Sequence, residues 1–298
     1  MECVLAIDLG GSKVEAALVD AAGKVVRGSK GRASTGPSTT PTTLRRAIAD
    51  CVEPAMASRG HTNAQIVGVG IGSPGPIAFE DGTISVGNLP GLGDSFPLVS
   101  LIRSLLDLDV GIVLGHDGAC AALGEAWVGG AKEARTVLGV TVSTGVGAGI
   151  VHKGRVFGGA TGNAGHLGQL AVGPDAVWLE SVASGPASVR WAQQQGWLGE
   201  TGNELGRDAR RGDRIAVSAA KRSAQALGAA LASVAAILDF DVAVIGGGFS
   251  RCMDDYVEIA GRAFLDAAPL DFVRRARLVS PALGDDGALV GAAALVWT

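Results

Sequence analysis

The chain has 298 residues, 46 of them glycine, about 15 % and roughly twice the usual share of ~7 %. The glycines follow no three-residue period, which excludes collagen, and 47 % apolar against 18 % charged residues excludes a disordered chain. The glycines therefore sit in a folded globular protein, long enough for two domains of about 150 residues or one large barrel. A net charge of −4 without a run of Lys or Arg argues against a nucleic-acid surface. Cys3, Cys51, Cys120 and Cys252 are scattered with no C-x-x-C pair, so neither a disulfide framework nor a four-cysteine zinc site is expected, and a reducing cytoplasm fits. The most apolar stretch, Ala226 to Leu238, is interrupted by Ser233 and falls short of the roughly 18 residues of a membrane span. Met1-Glu2-Cys3 lacks the basic region of a signal peptide.

In chain order, Val4 to Asp8 reads as a strand, Leu9-Gly10-Gly11-Ser12 as a turn and Val14 to Val19 as the returning strand, followed by a short strand at Gly23-Lys24-Val25-Val26. Ile66 to Ile71 and Val110 to Leu114 read as buried strands, and Leu98 to Leu106 and Ala119 to Val128 as helices. The opening pattern then recurs: strand Val137 to Val142, tip Ser143-Thr144-Gly145-Val146-Gly147, strand Ala148 to Val151 and a further short strand Gly154 to Phe157. Two related halves explain that repetition. A long helix over Ile215 to Leu238 precedes the strand Asp241 to Ile245, which runs into Gly246-Gly247-Gly248. The result is an α/β architecture in two lobes with glycine turns at strand ends, where open α/β sheets bind ligands.

No G-x-x-x-x-G-K-[ST] loop occurs, and no G-x-G-x-x-G opens a helix after a strand, so the Walker and Rossmann readings fail. What remains is the pair of glycine tips, whose backbone N–H groups and hydroxyls (Ser12, Ser143, Thr144) suit phosphates. A single tip reads first as an ordinary tight turn, and it is the matched pair that points to phosphates. Asp8, ending its strand before the first tip, suits a hydrated Mg²⁺ held against phosphate oxygens.

The chain resembles the ROK family of sugar kinases, within the actin-like and hexokinase-like ATPase superfamily. The resemblance spans almost the whole chain and rests on nine motifs in family order: Asp8-Leu9-Gly10-Gly11-Ser12-Lys13, Gly72-Ser73-Pro74-Gly75-Pro76-Ile77, Asn88-Leu89-Pro90, Asp117 with Ala121-Ala122-Leu123-Gly124-Glu125, Thr144-Gly145-Val146-Gly147-Ala148-Gly149, Gly162-Asn163-Ala164-Gly165, Ser184-Gly185-Pro186-Ala187, Ile245-Gly246-Gly247-Gly248 and Leu283-Gly284-Asp285-Asp286. It implies a two-lobed, ribonuclease H-like fold with duplicated mixed sheets, the smaller lobe being residues 1–117 with about 286–298 and the larger 118–285, with nucleotide and acceptor in the cleft between lobes that close over the acceptor. It also implies ATP with Mg²⁺ as cofactors and a homodimer. Gly10, Gly11, Ser12 and Lys13 would face the phosphates from one side and Thr144, Gly145 and Gly147 from the other, with Gly247, Gly248 and Leu283 or Gly284 near the adenosine. Asp117 matches the family's general base, although its sequence context also suits the N-cap of the helix near Ala119. Ser73, Pro74, Gly75, Asn88 and Glu180 match acceptor-side positions; Asn88 also suits a plain turn, and Glu180 the first turn of a helix.

The family pattern breaks at three places. Its Asn-Asp-Ala-Asn is His116-Asp117-Gly118-Ala119 here, putting an imidazole where an amide touches the sugar. Its Glu-x-Gly-His is His166-Leu167-Gly168-Gln169, replacing a sugar-binding carboxylate by His166 and a zinc-binding histidine by Gln169. No cysteine lies between Gln169 and Glu180, so no structural zinc is expected. Since the changes fall on acceptor positions while both tips and Asp117 are kept, phosphotransfer to an acceptor other than plain glucose is expected: a modified hexose or a C7 cyclitol, with an ordinary hexose as the alternative. A transcriptional regulator of the family would need a DNA-binding domain ahead of the first strand, for which a strand starting at Val4 leaves no room. A non-catalytic sensor would typically have lost Asp8, Asp117 or a tip, and none is lost.

Overall fold

A computed structural model describes the whole chain, residues 1–298, except for the side chain of His61. The chain divides into two compact units, one of residues 1–133, 149–164 and 282–298 and the other of 134–148 and 165–281.

The first unit opens with the hairpin β1 (Glu2–Leu9) and β2 (Lys13–Asp20), paired antiparallel so that Asp8 faces Glu15 and Leu9 faces Val14. Cys3 to Ile7 are fully buried, as the unbroken apolar run of a central strand requires. The third strand is β3 (Gly31–Ser34). The segment Gly23 to Val26, read as a strand from the sequence, contributes a single bridge, Val19 to Val25. The helix α1 (Pro41–Thr62) starts in a reciprocal cap between Thr40 and Thr43 and buries Leu44, Ile48, Cys51, Val52 and Ala55 on one face. It can approach β3 closely because Gly31 has no Cβ: one there would overlap the Cys51 carbonyl.

Next come β4 (Gln65–Ser73), a two-stranded ribbon of β5 (Ile77–Ala78) and β6 (Thr83–Ile84), α2 (Leu98–Leu105) and β7 (Ile112–His116). The sheet order is β3-β2-β1-β4-β7, with β1, β4 and β7 parallel. Across it lie α3 (Asp117–Trp127) and the C-terminal α10 (Gly287–Trp297). These two helices meet through glycines, since a Cβ on Gly291 would overlap the Cys120 carbonyl and one on Gly124 would stand 2.8 Å from the Gly287 carbonyl oxygen. That packing puts α3 in the first unit, whereas the sequence reading ended the smaller lobe at Asp117.

A second five-stranded sheet repeats the order: β8 (Thr136–Val142), β9 (Val146–His152), β10 (Arg155–Val156), β13 (Val242–Gly246) and β14 (Arg277–Val279) are arranged β10-β9-β8-β13-β14, with β8, β13 and β14 parallel. Of these strands, β8, β13, β14 and the first residues of β9 belong to the second unit, while β9 from Gly149 onward and β10 fall in the 149–164 segment of the first. The second unit also holds the ribbon β11 (Ala171–Val172) and β12 (Val177–Trp178) and helices α4 (Glu180–Ala183), α5 (Gly185–Gln194), α6 (Gly202–Arg210), α7 (Arg214–Leu238), α8 (Tyr256–Ala267) and α9 (Asp271–Arg274). Asp213 caps α7 by accepting from the Ile215 and Ala216 N–H groups at 3.0 and 2.8 Å. The buried Ser223 hydroxyl ties α7 to its neighbours, donating to the Ala183 carbonyl at 2.6 Å and accepting from the Tyr256 hydroxyl at 2.7 Å.

Candidate active site

In the first unit the hairpin tip between β1 and β2 is closed by the Gly10 N–H, which donates to the Lys13 carbonyl at 2.8 Å. Thr35 fixes the tip from the side, its hydroxyl donating to the Gly10 carbonyl at 2.8 Å and its N–H to the Ser12 carbonyl at 3.0 Å. Asn88 lies against Gly11: a Cβ there would come within 2.7 Å of the amide carbon, so only glycine lets the Asn88 side chain rest on the tip. Lys13 turns its ammonium onto Glu15, two residues on and therefore on the same strand face. Glu15 is only 3 % exposed and is ringed by cations, with Lys30 at 3.7 Å and Arg32 at 4.0 Å besides Lys13.

Asp8, the last residue but one of β1, lies between Glu15 and Gly72, its register partners on β2 and β4. Loss of solvent on burial, then the Asp117 carboxylate, push its pKa from 3.8 up to about 7, with Lys13 pulling the other way. Asp8 and Asp117 thus form one electrostatic pair. Asp117 is the first residue of α3 and accepts from the Gly118 N–H at 2.7 Å. The N-cap itself is His116, so Asp117 occupies the first helical turn and not the cap that its sequence context suited. One turn on, Cys120 is completely buried, and that burial, with the charges of Asp8 and Asp117, raises its thiol well above the usual range, leaving it a packing group.

His116 ends β7 opposite Ser73 on β4 and is 6 % exposed. Its ring meets Phe79 edge-on at 5.8 Å between centroids, and lies so close to Gly75 that a Cβ there would come within 2.8 Å of Nδ1. Its Nε2 is 3.0 Å from Oδ1 of Asn163. Ser73, fully buried, donates its hydroxyl to the Pro74 carbonyl at 2.9 Å, and the Gly75–Pro76 bond is cis. Gly284, at φ +58°, opens the turn into α10, and the Leu283 N–H beside it donates to the buried Glu125 at 2.9 Å.

In the second unit the tip between β8 and β9 is neutral. The Ser143 N–H donates to the Gly145 carbonyl at 2.9 Å, and the Ser143 carbonyl accepts from the Gly185 N–H, at the start of α5, at 2.8 Å. Glu180, in the first turn of α4, accepts from the Val146 N–H at 2.9 Å and packs on Gly145, where a Cβ would stand 2.6 Å from Oε2. Gly247, at φ +101°, and Gly248 follow β13; a Cβ on Gly247 would stand 2.7 Å from the Val142 nitrogen, and one on Gly248 3.6 Å from the Ser143 hydroxyl. Thr144, Gly247 and Gly248 therefore follow the ends of adjacent strands β8 and β13, and Gly147 is the second residue of β9. His166 and Gln169 are exposed and bound the short turn Leu167–Gln169, closed by the Gln169 N–H donating to the His166 carbonyl at 3.0 Å.

Asn163 and Glu125 carry more of this architecture than sequence reasoning assigned to them. Both stood inside quoted motifs, but neither residue type distinguishes a structural anchor from a turn or surface residue until its partners are known.

Duplicated sheets of identical order, each opened by a glycine-tipped hairpin, are the two-lobed actin-like ATPase fold. The chain belongs to the ROK family, whose model matches residues 4–298. It is 35 % identical over 253 residues to an N-acetylmannosamine kinase of Yersinia pseudotuberculosis, covering 82 % of each protein. A glucokinase of Streptomyces coelicolor is 30 % identical over 325 residues, covering 99 % of this chain and 98 % of the relative. The crystal structure of a ROK family glucokinase from Streptomyces griseus, in complex with glucose and AMPPNP, matches with a TM-score of 0.84 at 26 % identity over 98 % of both chains. The protein is a phosphotransferase of the sugar-kinase type. Among the described residues, no helix is long and apolar enough to cross a membrane.

Proposed function

We propose that the protein transfers the γ-phosphoryl group of ATP to a hydroxyl, a primary one by family resemblance, of a hexose-like polyol, with Asp117 as general base. The observation that carries this reading is the Asp8–Asp117 pair beside the first glycine tip. The acceptor O–H proton passes to Asp117 as the oxygen bonds to phosphorus and the bond to the ADP oxygen breaks, giving the phosphorylated polyol and ADP. The backbone around Gly11 to Lys13 and Thr144 to Gly147 is the proposed set of phosphate donors, with Gly247, Gly248 and Gly284 on the adenosine side. The residues fit a Mg²⁺ held through water: Asp8 is a half-buried carboxylate beside a like charge, an arrangement that a cation relieves. When bound, Mg²⁺ would neutralise charge on the phosphates.

The acceptor side comprises Ser73, Pro74, Gly75, Asn88, His116, His166, Gln169 and Glu180. Glu180 and Asn88 rest on the two tips, which supports their holding hydroxyls near the transferred phosphoryl group. An imidazole at His166 in place of a carboxylate favours a modified hexose, an N-acetylhexosamine first and a C7 cyclitol second, over plain glucose. The 35 % identical relative named as an N-acetylmannosamine kinase supports that order. A panel of hexoses, N-acetylhexosamines and cyclitols, followed by ADP release and mass spectrometry of the product, tests it. Turnover fastest on an N-acetylhexosamine or cyclitol is expected. Glucose as the best acceptor would overturn the acceptor reading, and Mg-ATP binding without turnover on any member would favour a non-catalytic sensor. The family resemblance also supports a cytoplasmic homodimer, to be read by light scattering in solution.

A further inference from the structure

The loop of residues 158–164 reaches the acceptor-side residues of its own unit through one side chain. Asn163 accepts the Ile77 N–H on Oδ1 at 3.0 Å and donates from Nδ2 to the Ile77 carbonyl at 3.0 Å, so its amide pairs with that residue as a neighbouring strand would. Nδ2 also donates to the Thr161 carbonyl at 3.1 Å. With both amide roles settled by these backbone partners, Oδ1 can only accept from His116, which must carry its proton on Nε2. Gly162, at φ +85°, packs against Phe79, where a Cβ would overlap the ring, and Phe79 makes a T-shaped pair with the same imidazole. His116 in turn covers Gly75 and immediately precedes Asp117.

We propose that Asn163 is a positioning residue for phosphotransfer: by holding Ile77 and the Nε2–H form of His116 at once, it sets the Ser73–Ile77 loop and the entry into α3, and through them the acceptor relative to Asp117. The inference rests on the kinase reading for its functional consequence, but the hydrogen-bond geometry stands independently of it. It gives the imidazole at position 116 a role other than touching the acceptor: its Nε2 is engaged by an amide from elsewhere in the fold, and its ring fills the space that Gly75 leaves. The relation is specific to geometry. A glutamine at 116 places a donor nitrogen near the position of Nε2, whereas an asparagine reaches only as far as Nδ1.

The test compares Asn163→Ala, His116→Asn and His116→Gln with the wild type on the best acceptor of the panel, with thermal melting as the folding control. Asn163→Ala and His116→Asn are expected to raise the acceptor KM about 10-fold and to lower kcat several-fold, with the ATP KM within about twofold, because small displacements of a bound reactant cost catalysis steeply. His116→Gln should restore most of kcat/KM, which a merely space-filling histidine would not predict. Nitrogen-15 spectra of labelled histidine give an activity-free readout: His116 protonated on Nε2 in the wild type, with a tautomer mixture in Asn163→Ala. An Nδ1–H wild-type ring, or a folded Asn163→Ala enzyme with unchanged acceptor KM and kcat, overturns the proposal while leaving the kinase reading intact. A wild type that phosphorylates nothing in the panel overturns the kinase reading, and with it the role of Asn163 in phosphotransfer, while the tautomer still decides the clamp.

Discussion

The two glycine tips are built on the same plan and charged differently. Both close a strand pair of a sheet ordered 3-2-1-4-5, and in both a glycine makes room for a polar side chain, Asn88 over Gly11 and Glu180 over Gly145. The first tip, however, is flanked by Asp8 and Lys13 and faces a buried Glu15 ringed by Lys13, Lys30 and Arg32. The second is an uncharged Ser-Thr-Gly-Val turn held by one carboxylate on a backbone N–H. Duplication preserved the sheet order and the glycine-tipped hairpin. Only one copy carries paired carboxylates, Asp8 and Asp117, and the proposed function gives that copy the cation and the proton and leaves the other to offer neutral donors.

The largest expected effect breaks this asymmetry at its charged end. Asp117→Asn should lower kcat by at least about 10²-fold with nucleotide affinity little changed, since the base and not the phosphate site is removed; turnover close to the wild type would reassign the base. Next, Gly145→Ala and Gly11→Ala test whether the tips play matching parts. Each added methyl meets the far end of a flexible side chain, so the fold should persist while Glu180 or Asn88 is displaced. Acceptor KM should rise about 10-fold for each, more for Gly145→Ala because Glu180 also loses the Val146 N–H. Steady-state kinetics with each substrate varied in turn would show whether the two glycines are equivalent. A smaller change is expected of Glu180→Gln, whose carbonyl oxygen still accepts from Val146 but whose charge is gone: a KM effect of about threefold to tenfold that leaves melting temperature unchanged.

The smallest effect is one of stability. Asp8 is held at about 7 in the folded protein against 3.8 as an ordinary carboxyl group. The native state therefore keeps a proton that the unfolded chain gives up, and stability falls as pH rises from about 4 through 7. In metal-free protein Asp8→Asn should raise the melting temperature by a few degrees at pH 8, with the gain shrinking towards pH 4. A variant that melts below the wild type at pH 8 would show that Asp8 is already relieved by its lysine neighbours. The same variant should be inactive, so stability and activity would move in opposite directions.

Much of the strand framework was legible because it rests on local signals. The apolar runs of β1, β4, β8 and β13 and the glycine tips read correctly, as did α7 with its long periodic face. The helix α1 was missed: Pro54 in its interior and a mixed pattern hide it, and what stabilises it is packing against β2 and β3. The third strand was misplaced for the related reason that Gly31, not Gly23, offers the surface on which α1 can lie.

The glycine excess thus acquires two explanations that the sequence could not separate. Gly11 and Gly145 clear space for side chains over the tips, and Gly70, Gly124 and Gly291 clear it for backbone, so that α10 can lie on β4 and α3. The residue types and their order determined by themselves that this is an α/β phosphotransferase with two glycine tips, because strand periodicity, turn chemistry and motif order are encoded locally. Which partner each polar side chain takes was decided only by the tertiary structure. Asn163 and His116 are 47 positions apart, and whether an imidazole faces a substrate or an amide depends on the donors and acceptors that folding sets around it.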